Sequence, residues 1–90
     1  MIKTILILGA GLEQGIAIRQ AKKLGLNVVA CDQNKNALGF KYADISIAVD
    51  IHNIDLILDI AIQNKVHGIF AHAVEIPQII AEVTAVLGLP

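Results

Sequence analysis

The chain has 90 residues, of which 56% are apolar and 17% are charged, and its formal net charge is −1. This length allows one small domain. The charge argues against a nucleic-acid-binding surface, which would need a basic stripe, and the scattered aromatic residues give no stacking platform for bases. The apolar fraction exceeds the roughly 45–50% of average domains. Either a parallel sheet is covered on both faces, or one face packs against something absent from this chain.

The single cysteine, Cys31, excludes an internal disulfide and fits a reducing compartment. Its apolar neighbours predict an unreactive core side chain. No apolar run approaches the ~18 residues of a membrane span, and the first residues lack a secretory leader pattern. The sequence therefore predicts a cytoplasmic chain with neither a membrane nor a nucleic acid as its partner.

The first element is a strand over residues 1–8, because four aliphatic residues in a row at 5–8 are typical of a strand buried on both faces. Gly9 and Gly11 then allow a tight turn that a ligand can approach closely. A helix is predicted over residues 16–24, with Gly25 as its C-terminal cap. Its first turn would offer free N–H groups and a positive dipole end to an anion.

The remaining pattern alternates strands with helices. A second strand over residues 26–32 ends in Asp32, and a short helical turn over 37–42 is expected to be broken by Gly39. A third, partly alternating strand over 45–50 suggests the sheet edge. Asn53 is a fitting N-cap for the next helix, whose apolar stripe has helical spacing. A fourth strand over 67–71 precedes a last helix over 77–87.

This order predicts an α/β fold with three layers: a four-stranded parallel sheet in the order 3-2-1-4, with helices on both faces. That is the first half of a doubly wound, Rossmann-like fold, whose ligands bind at the carboxyl ends of the strands. The turn after strand 1, the end of strand 2 at Asp32 to Asn34, Asp50, and the loop after strand 4 would all meet at this edge.

The glycines at this edge read G-x-G-x-x-x-G, and Gln14 stands where a dinucleotide-binding pattern has glycine. The turn is either a ligand site or simply a tight strand-to-helix link. Asp32 would accept hydrogen bonds from a ribose or cap the polar turn that follows, and Asn34 could join either role. His72 and Glu75 in the last loop are polar-loop or ligand-binding candidates. No metal site and no catalytic triad are expected.

Several segments together carry a resemblance: the opening run through Gly9, Gly11 and Gln14, the Asp32–Asn34 strand end, the Gly39–Asp44 run, and the Leu-Gly-Leu-Pro at the end. The chain resembles the N-terminal, pre-ATP-grasp domain of ATP-grasp ligases. The branch is the one that includes the carbamoyl-phosphate synthetase large chain, biotin carboxylase and purine-synthesis enzymes. The resemblance covers essentially all 90 residues.

The resemblance implies that residues 1–90 form a single domain, the N-terminal part of a longer enzyme. Such a domain helps to hold a small-molecule acceptor substrate for a carboxylate–amine or related ligase that works through an acyl phosphate. It has no catalytic residue of its own and is inactive in isolation, while ATP and Mg²⁺ bind between later domains. These absent domains, and a second copy in a homodimer, are the expected protein partners. The implied binding residues are Gly9, Gly11, Leu12, Gln14, Asp32, Asn34, His72 and Glu75.

Two other functions stay open at this point. A nicotinamide-dinucleotide-binding domain would use Asp32 on the ribose, although Gln14 and Glu13 oppose a pyrophosphate at the helix start. A non-enzymatic interaction module would use the excess apolar surface.

Overall fold

The computed structural model describes residues 2–71 together with residues 85 and 88. The described elements are, in chain order, β1 (Thr4–Leu8), α1 (Leu12–Lys23), β2 (Asn27–Asp32), a 3₁₀ helix (Leu38–Tyr42), β3 (Ile45–Ala48), α2 (Ile54–Gln63) and β4 (Gly68–Ala71). Of the helix predicted over residues 77–87, only residue 85 is described, and it is helical. The candidate residues His72 and Glu75 lie outside the described residues.

The four strands form one parallel sheet in the order β3-β2-β1-β4. This confirms the predicted topology. β1 lies in the middle, with Leu8 opposite Cys31 of β2 on one side and opposite Ala71 of β4 on the other. The three strand ends therefore stop at the same level, which places the loops that follow them side by side.

Two apolar clusters, one on each face of the sheet, form the core. Leu6, Leu8 and Val29 pack against α2 on one face, while Ile7 and Val28 pack against α1 on the other. Alternate residues of a strand point to opposite faces, so β1 and β2 need apolar residues at nearly every position. The continuous aliphatic runs of the sequence meet this need, and the predicted three-layer arrangement is confirmed.

Helix α1 begins at Leu12, about one turn earlier than the sequence indicated. Gly11 is its N-cap, and the N–H of Gly15 donates to the carbonyl of Gly11 at 2.9 Å, which places Gly15 inside the helix. Glycine normally disfavours a helix interior, which explains the late predicted start. The predicted end is close, because Leu24 is the C-cap and Gly25 follows with a φ of +81°.

The second difference concerns Gly39, which does not break the short helix but lies within the 3₁₀ helix and is buried. Two other predictions are confirmed. The Asn53 side chain accepts a hydrogen bond from the N–H of Leu56 and so caps α2, and β3 is the short, exposed edge strand of the sheet.

Not all of the apolar excess is buried. Leu24 is 78% exposed and Phe70 is 38% exposed, and both line an apolar groove of about 230 Å³ beside α1 and β1. The described residues therefore confirm the sheet covered on both faces. Packing of another surface against the apolar groove stays a prediction. No described helix is long and apolar enough to cross a membrane.

Candidate functional site

The glycine turn between β1 and α1 is held from two sides. The N–H of Ala10 donates to Oδ2 of Asp32 at 2.7 Å, and the carbonyl of Ala10 accepts from the N–H of Gly39 at 2.7 Å. The preceding residue, Gly9, has a φ of +95° and donates its N–H to the carbonyl of Cys31 at 2.6 Å. Both polar groups of the Ala10 peptide are thus satisfied inside the protein, and the turn is fixed without any ligand.

Asp32 acts as the strand-end acid that organises its own loop. Oδ1 accepts from the N–H of Asn34 at 2.8 Å while Oδ2 holds Ala10. The Asn34 side chain in turn accepts from the N–H of Asn36 at 2.9 Å. The structure therefore assigns both residues a role in the loop. A carboxylate has about four acceptor positions, so hydrogen bonds to a ligand stay a prediction for Asp32.

Gln14 lies across the glycine turn. A Cβ atom built on Gly9 would be 3.4 Å from Cγ of Gln14, and one built on Gly11 would be 3.2 Å from its Oε1. The space above both glycines is therefore shared with an amide that can donate and accept hydrogen bonds. The pyrophosphate of a dinucleotide must approach the backbone of such a glycine turn closely. The Gln14 side chain occupies the space next to Gly9 and Gly11 and would block this approach.

The structure thus brings five of the predicted site residues together at the carboxyl edge: Gly9, Gly11, Gln14, Asp32 and Asn34. Leu12 is the first residue of α1 and directly follows Gly11 in the chain. Asp50, two residues after the end of β3, binds within its own loop instead. Its Oδ1 accepts a hydrogen bond from the N–H of His52 at 2.9 Å. This bond is the main reason why the pKa of Asp50 lies below its usual value.

Sequence reasoning missed the contact between the two glycines that supports the turn. A Cβ atom on Gly39 would lie 2.8 Å from the carbonyl oxygen of Ala10 and 3.1 Å from Cα of Gly15. The two backbones touch because neither residue has a side chain. Gly39 is visible in the sequence within the Gly39–Asp44 run. No short-range pattern, however, indicates that it contacts Gly15.

A second missed residue is Asp44, which joins α1, β2 and the start of β3. Its carboxylate accepts from Nζ of Lys22 at 2.8 Å and from the N–H of Val28 at 2.7 Å. The Lys22 hydrogen bond, followed by the Val28 bond, lowers the pKa of Asp44 below its ordinary value of 3.8. Asp44 lies far from the turn itself, and it fixes the 3₁₀ segment that leads back to Gly39.

The fold is similar to that of a biotin carboxylase domain and of N5-carboxyaminoimidazole ribonucleotide synthetase. The biotin carboxylase domain of Hydrogenobacter thermophilus 2-oxoglutarate carboxylase, a dimer in complex with MgADP, ADP and bicarbonate, matches with a TM-score of 0.83 and 21% identity. The match covers 99% of this chain and 22% of that one. An ADP complex of N5-carboxyaminoimidazole ribonucleotide synthetase matches with a TM-score of 0.70 and 24% identity, over 81% of this chain and 19% of the other.

Among curated proteins, formate-dependent phosphoribosylglycinamide formyltransferase from Prochlorococcus marinus is 40% identical over 52 residues. That stretch is 57% of this chain and 13% of the formyltransferase. No family model matches the chain. The chain therefore spans less than a quarter of each of these three proteins.

Proposed function

We propose that this chain is the substrate-side N-terminal domain of an ATP-dependent carboxylate–amine or related ligase that works through an acyl phosphate. In this role it holds the acceptor substrate at the carboxyl edge of its sheet and does not catalyse the reaction alone. The fold it shares with ATP-grasp ligases supports the class of enzyme. The 52-residue similarity to the formyltransferase supports the same class from the sequence side.

The observation that carries the proposal is the preformed turn. The backbone N–H and carbonyl of Ala10 are held by Asp32 and Gly39, while Gly11, the N-cap of α1, offers no side-chain cap. The first N–H groups of a helix without such a cap can bind an anionic group. The Gln14 amide adds a donor and an acceptor at the same place. These groups suit a polar acceptor better than a dinucleotide.

ATP and Mg²⁺ are assigned to the part of the ligase outside this chain. This assignment follows from the resemblance to ATP-grasp ligases, which implies that both bind between later domains of the enzyme. In this role, no residue of this chain takes part in phosphoryl transfer. Its residues bind and orient the acceptor and limit the access of water to one side of the site.

The test uses the isotope-labelled 90-residue chain in NMR titrations with bicarbonate, with phosphoribosylglycinamide and with Mg-ATP. We expect the amide signals of Gly9, Gly11 and Gln14 to shift with an acceptor and to stay in place with Mg-ATP. Phosphate release from ATP should equal that of buffer. The amide of Asp59, on an exposed face of α2, serves as the internal control.

Two results would overturn the proposal. One is hydrolysis of Mg-ATP at enzyme-like rates by the chain alone. The other is tight, saturable binding of NADH that an Asp32→Ala variant loses while its circular dichroism is unchanged. The second result would make the chain a dinucleotide-binding domain.

A further inference from the structure

A pocket lies beside the glycine turn, between α1 and the 3₁₀ helix, and we call it the flank pocket. It has a volume of about 140 Å³. Gly15 and Gly39 lie where the two elements touch, and Ile16, Leu38 and Tyr42 supply its apolar wall. One water occupies roughly 30 Å³ in the liquid, so the flank pocket has room for a group of several heavy atoms.

The charged residues that line the flank pocket are both cations, Arg19 and Lys41. Neither has a carboxylate within 4.0 Å among the described residues, whose ion pairs are Lys22 with Asp44 and His52 with Asp50. The chain as a whole has seven Lys and Arg residues against eight acidic ones. Among the described residues, these two cations therefore form a local concentration of positive charge, which an anion would complement.

Both cations are positioned by the same aromatic ring. Cζ of Arg19 lies 5.2 Å from the centroid of Tyr42, and Nζ of Lys41 lies 5.1 Å from it. Cations within about 6 Å of a ring centroid are attracted by its quadrupole. The Tyr42 ring thus contacts both cations at the pocket, and an anion bound there would be attracted by both charges.

The flank pocket is continuous with the turn, because Gly11 belongs to both. From this geometry we infer that the flank pocket binds a phosphate monoester group of the acceptor substrate. A dianion matches two cations, with the planar Arg19 guanidinium binding two phosphate oxygens and Lys41 acting as a point charge. The identification of the ligand as the acceptor rests on the proposed function, whereas phosphate binding itself does not.

The experiment measures the affinity of the chain for ribose 5-phosphate, inorganic phosphate and unphosphorylated ribose by calorimetry and by the amide shifts of Gly15 and Gly39. Ribose 5-phosphate should bind, inorganic phosphate should bind more weakly, and ribose should not bind. Arg19→Gln and Lys41→Gln should each raise the Kd for ribose 5-phosphate about five- to tenfold. Lys23→Gln is the matched control, because Lys23 is an exposed cation of α1 outside the pocket, and its Kd should not change.

Three results would overturn the inference. The first is the absence of saturable ribose 5-phosphate binding by a folded chain. The second is an equal loss of affinity in Lys23→Gln, which would indicate attraction to the overall charge. The third is a change of molecular mass in solution on Arg19→Gln with no change in phosphate affinity, which would make the pocket a contact for an acidic side chain of a second copy. A chain that binds NADH or hydrolyses ATP loses the proposed function but can still keep the phosphate site.

Discussion

At the residue scale, Gly39 shows how a missing side chain can support a binding turn. Its backbone N–H donates to the carbonyl of Ala10, and its Cα packs against Gly15 of α1. The 3₁₀ helix can approach the turn this closely because position 39 lacks a Cβ atom, which would lie 2.8 Å from the oxygen of Ala10. Gly39 therefore determines how α1, the turn and the flank pocket are arranged, although it carries no chemical group of its own.

Replacing Gly39 by alanine tests this role. The new Cβ would lie 2.8 Å from the oxygen of Ala10 and 3.2 Å from Cδ1 of Ile18, and backbone must move to relieve such contacts. We expect Gly39→Ala to lower the free energy of unfolding by about 1–3 kcal/mol, measured by denaturant titration. Gly68→Ala is the matched control, since nothing lies within 4 Å of its added Cβ. Equal stability of both variants would contradict the contact.

Cys31 is the second informative residue. It is the second-last residue of β2, next to the carboxyl edge of the sheet, and yet it is completely buried. Burial raises the pKa of its thiol from 9.0 to about 12, so the thiolate is scarce at neutral pH. This supports the sequence prediction of an unreactive core cysteine.

We expect Cys31 not to react with a thiol reagent such as dithionitrobenzoate at pH 8 while the chain is folded. The same chain in guanidinium chloride should react within minutes, because unfolding returns the thiol to water and to its ordinary pKa of 9.0. The absorbance of the released thiolate measures both rates. Fast reaction of the folded chain would show that β2 opens or that Cys31 is accessible.

At the scale of elements, Lys22 and Asp44 connect α1 to β2 and to the start of β3. Nζ of Lys22 donates to the carbonyl of Leu26 at 3.0 Å as well as to Asp44. The Val28 N–H at the beginning of β2 also donates to Asp44. One carboxylate thus fixes the end of a helix against two strands, and this contact is electrostatic rather than apolar.

This contact predicts a pH dependence of stability. Because the pKa of folded Asp44 is below 3.8, its contribution is fully present above the pKa of the unfolded chain. The contribution is lost as pH falls through the lowered pKa of the folded state. Asp44→Asn should cost about 1 kcal/mol at pH 7, since the Lys22 and Asp44 side chains are 37% and 33% exposed and water screens the pair.

The measurement is the free energy of unfolding of both proteins between pH 2 and pH 7, with roughly a unit between points. The difference between wild type and Asp44→Asn should be constant above the ordinary pKa of 3.8 and should shrink in acid. Asp59→Asn is the control, because Asp59 lies on the exposed side of α2 with no ion pair among the described residues. A pH-independent difference would mean that Asp44 acts through its shape and not its charge.

At the scale of the whole molecule, burial falls from the centre of the sheet to its edge. The last three residues of β1 and most of β2 are buried on both faces, whereas β3 is largely exposed. Local opening requires little free energy where few apolar contacts are lost. The loops of the candidate site are therefore attached to the most rigid part of the chain, which suits a preformed binding surface.

Hydrogen exchange tests this decrease in rigidity from the centre of the sheet to β3. The amides of residues 5–8 and 28–31 should exchange only at the rate of global unfolding, and those of β3 should exchange faster through local opening. Protection of β3 equal to that of β1 would show that another chain covers the sheet edge, since β3 pairs with β2 alone among the described strands. The molecular mass in solution, measured on the same sample, distinguishes a second copy from internal protection.

The sequence by itself determined the alternation of strands and helices, the strand order, the cap at Asn53 and the burial of Cys31. These features follow from periodicity and composition within one element, because each element must bury its own apolar side chains. The resemblance to ATP-grasp ligases added the expected class of enzyme. The binding roles of all eight candidate residues stay predictions, namely those of Gly9, Gly11, Leu12, Gln14, Asp32, Asn34, His72 and Glu75.

Only the tertiary structure decided which polar groups meet. Ala10 and Asp32 are 22 residues apart, as are Lys22 and Asp44, and no local pattern records such a pair. The contact between Gly15 inside α1 and Gly39 is a further pair of this kind. Short-range patterns specify elements, whereas contacts between distant residues depend on how the elements pack, and the turn, its Gln14 neighbour and the flank pocket arise from that packing.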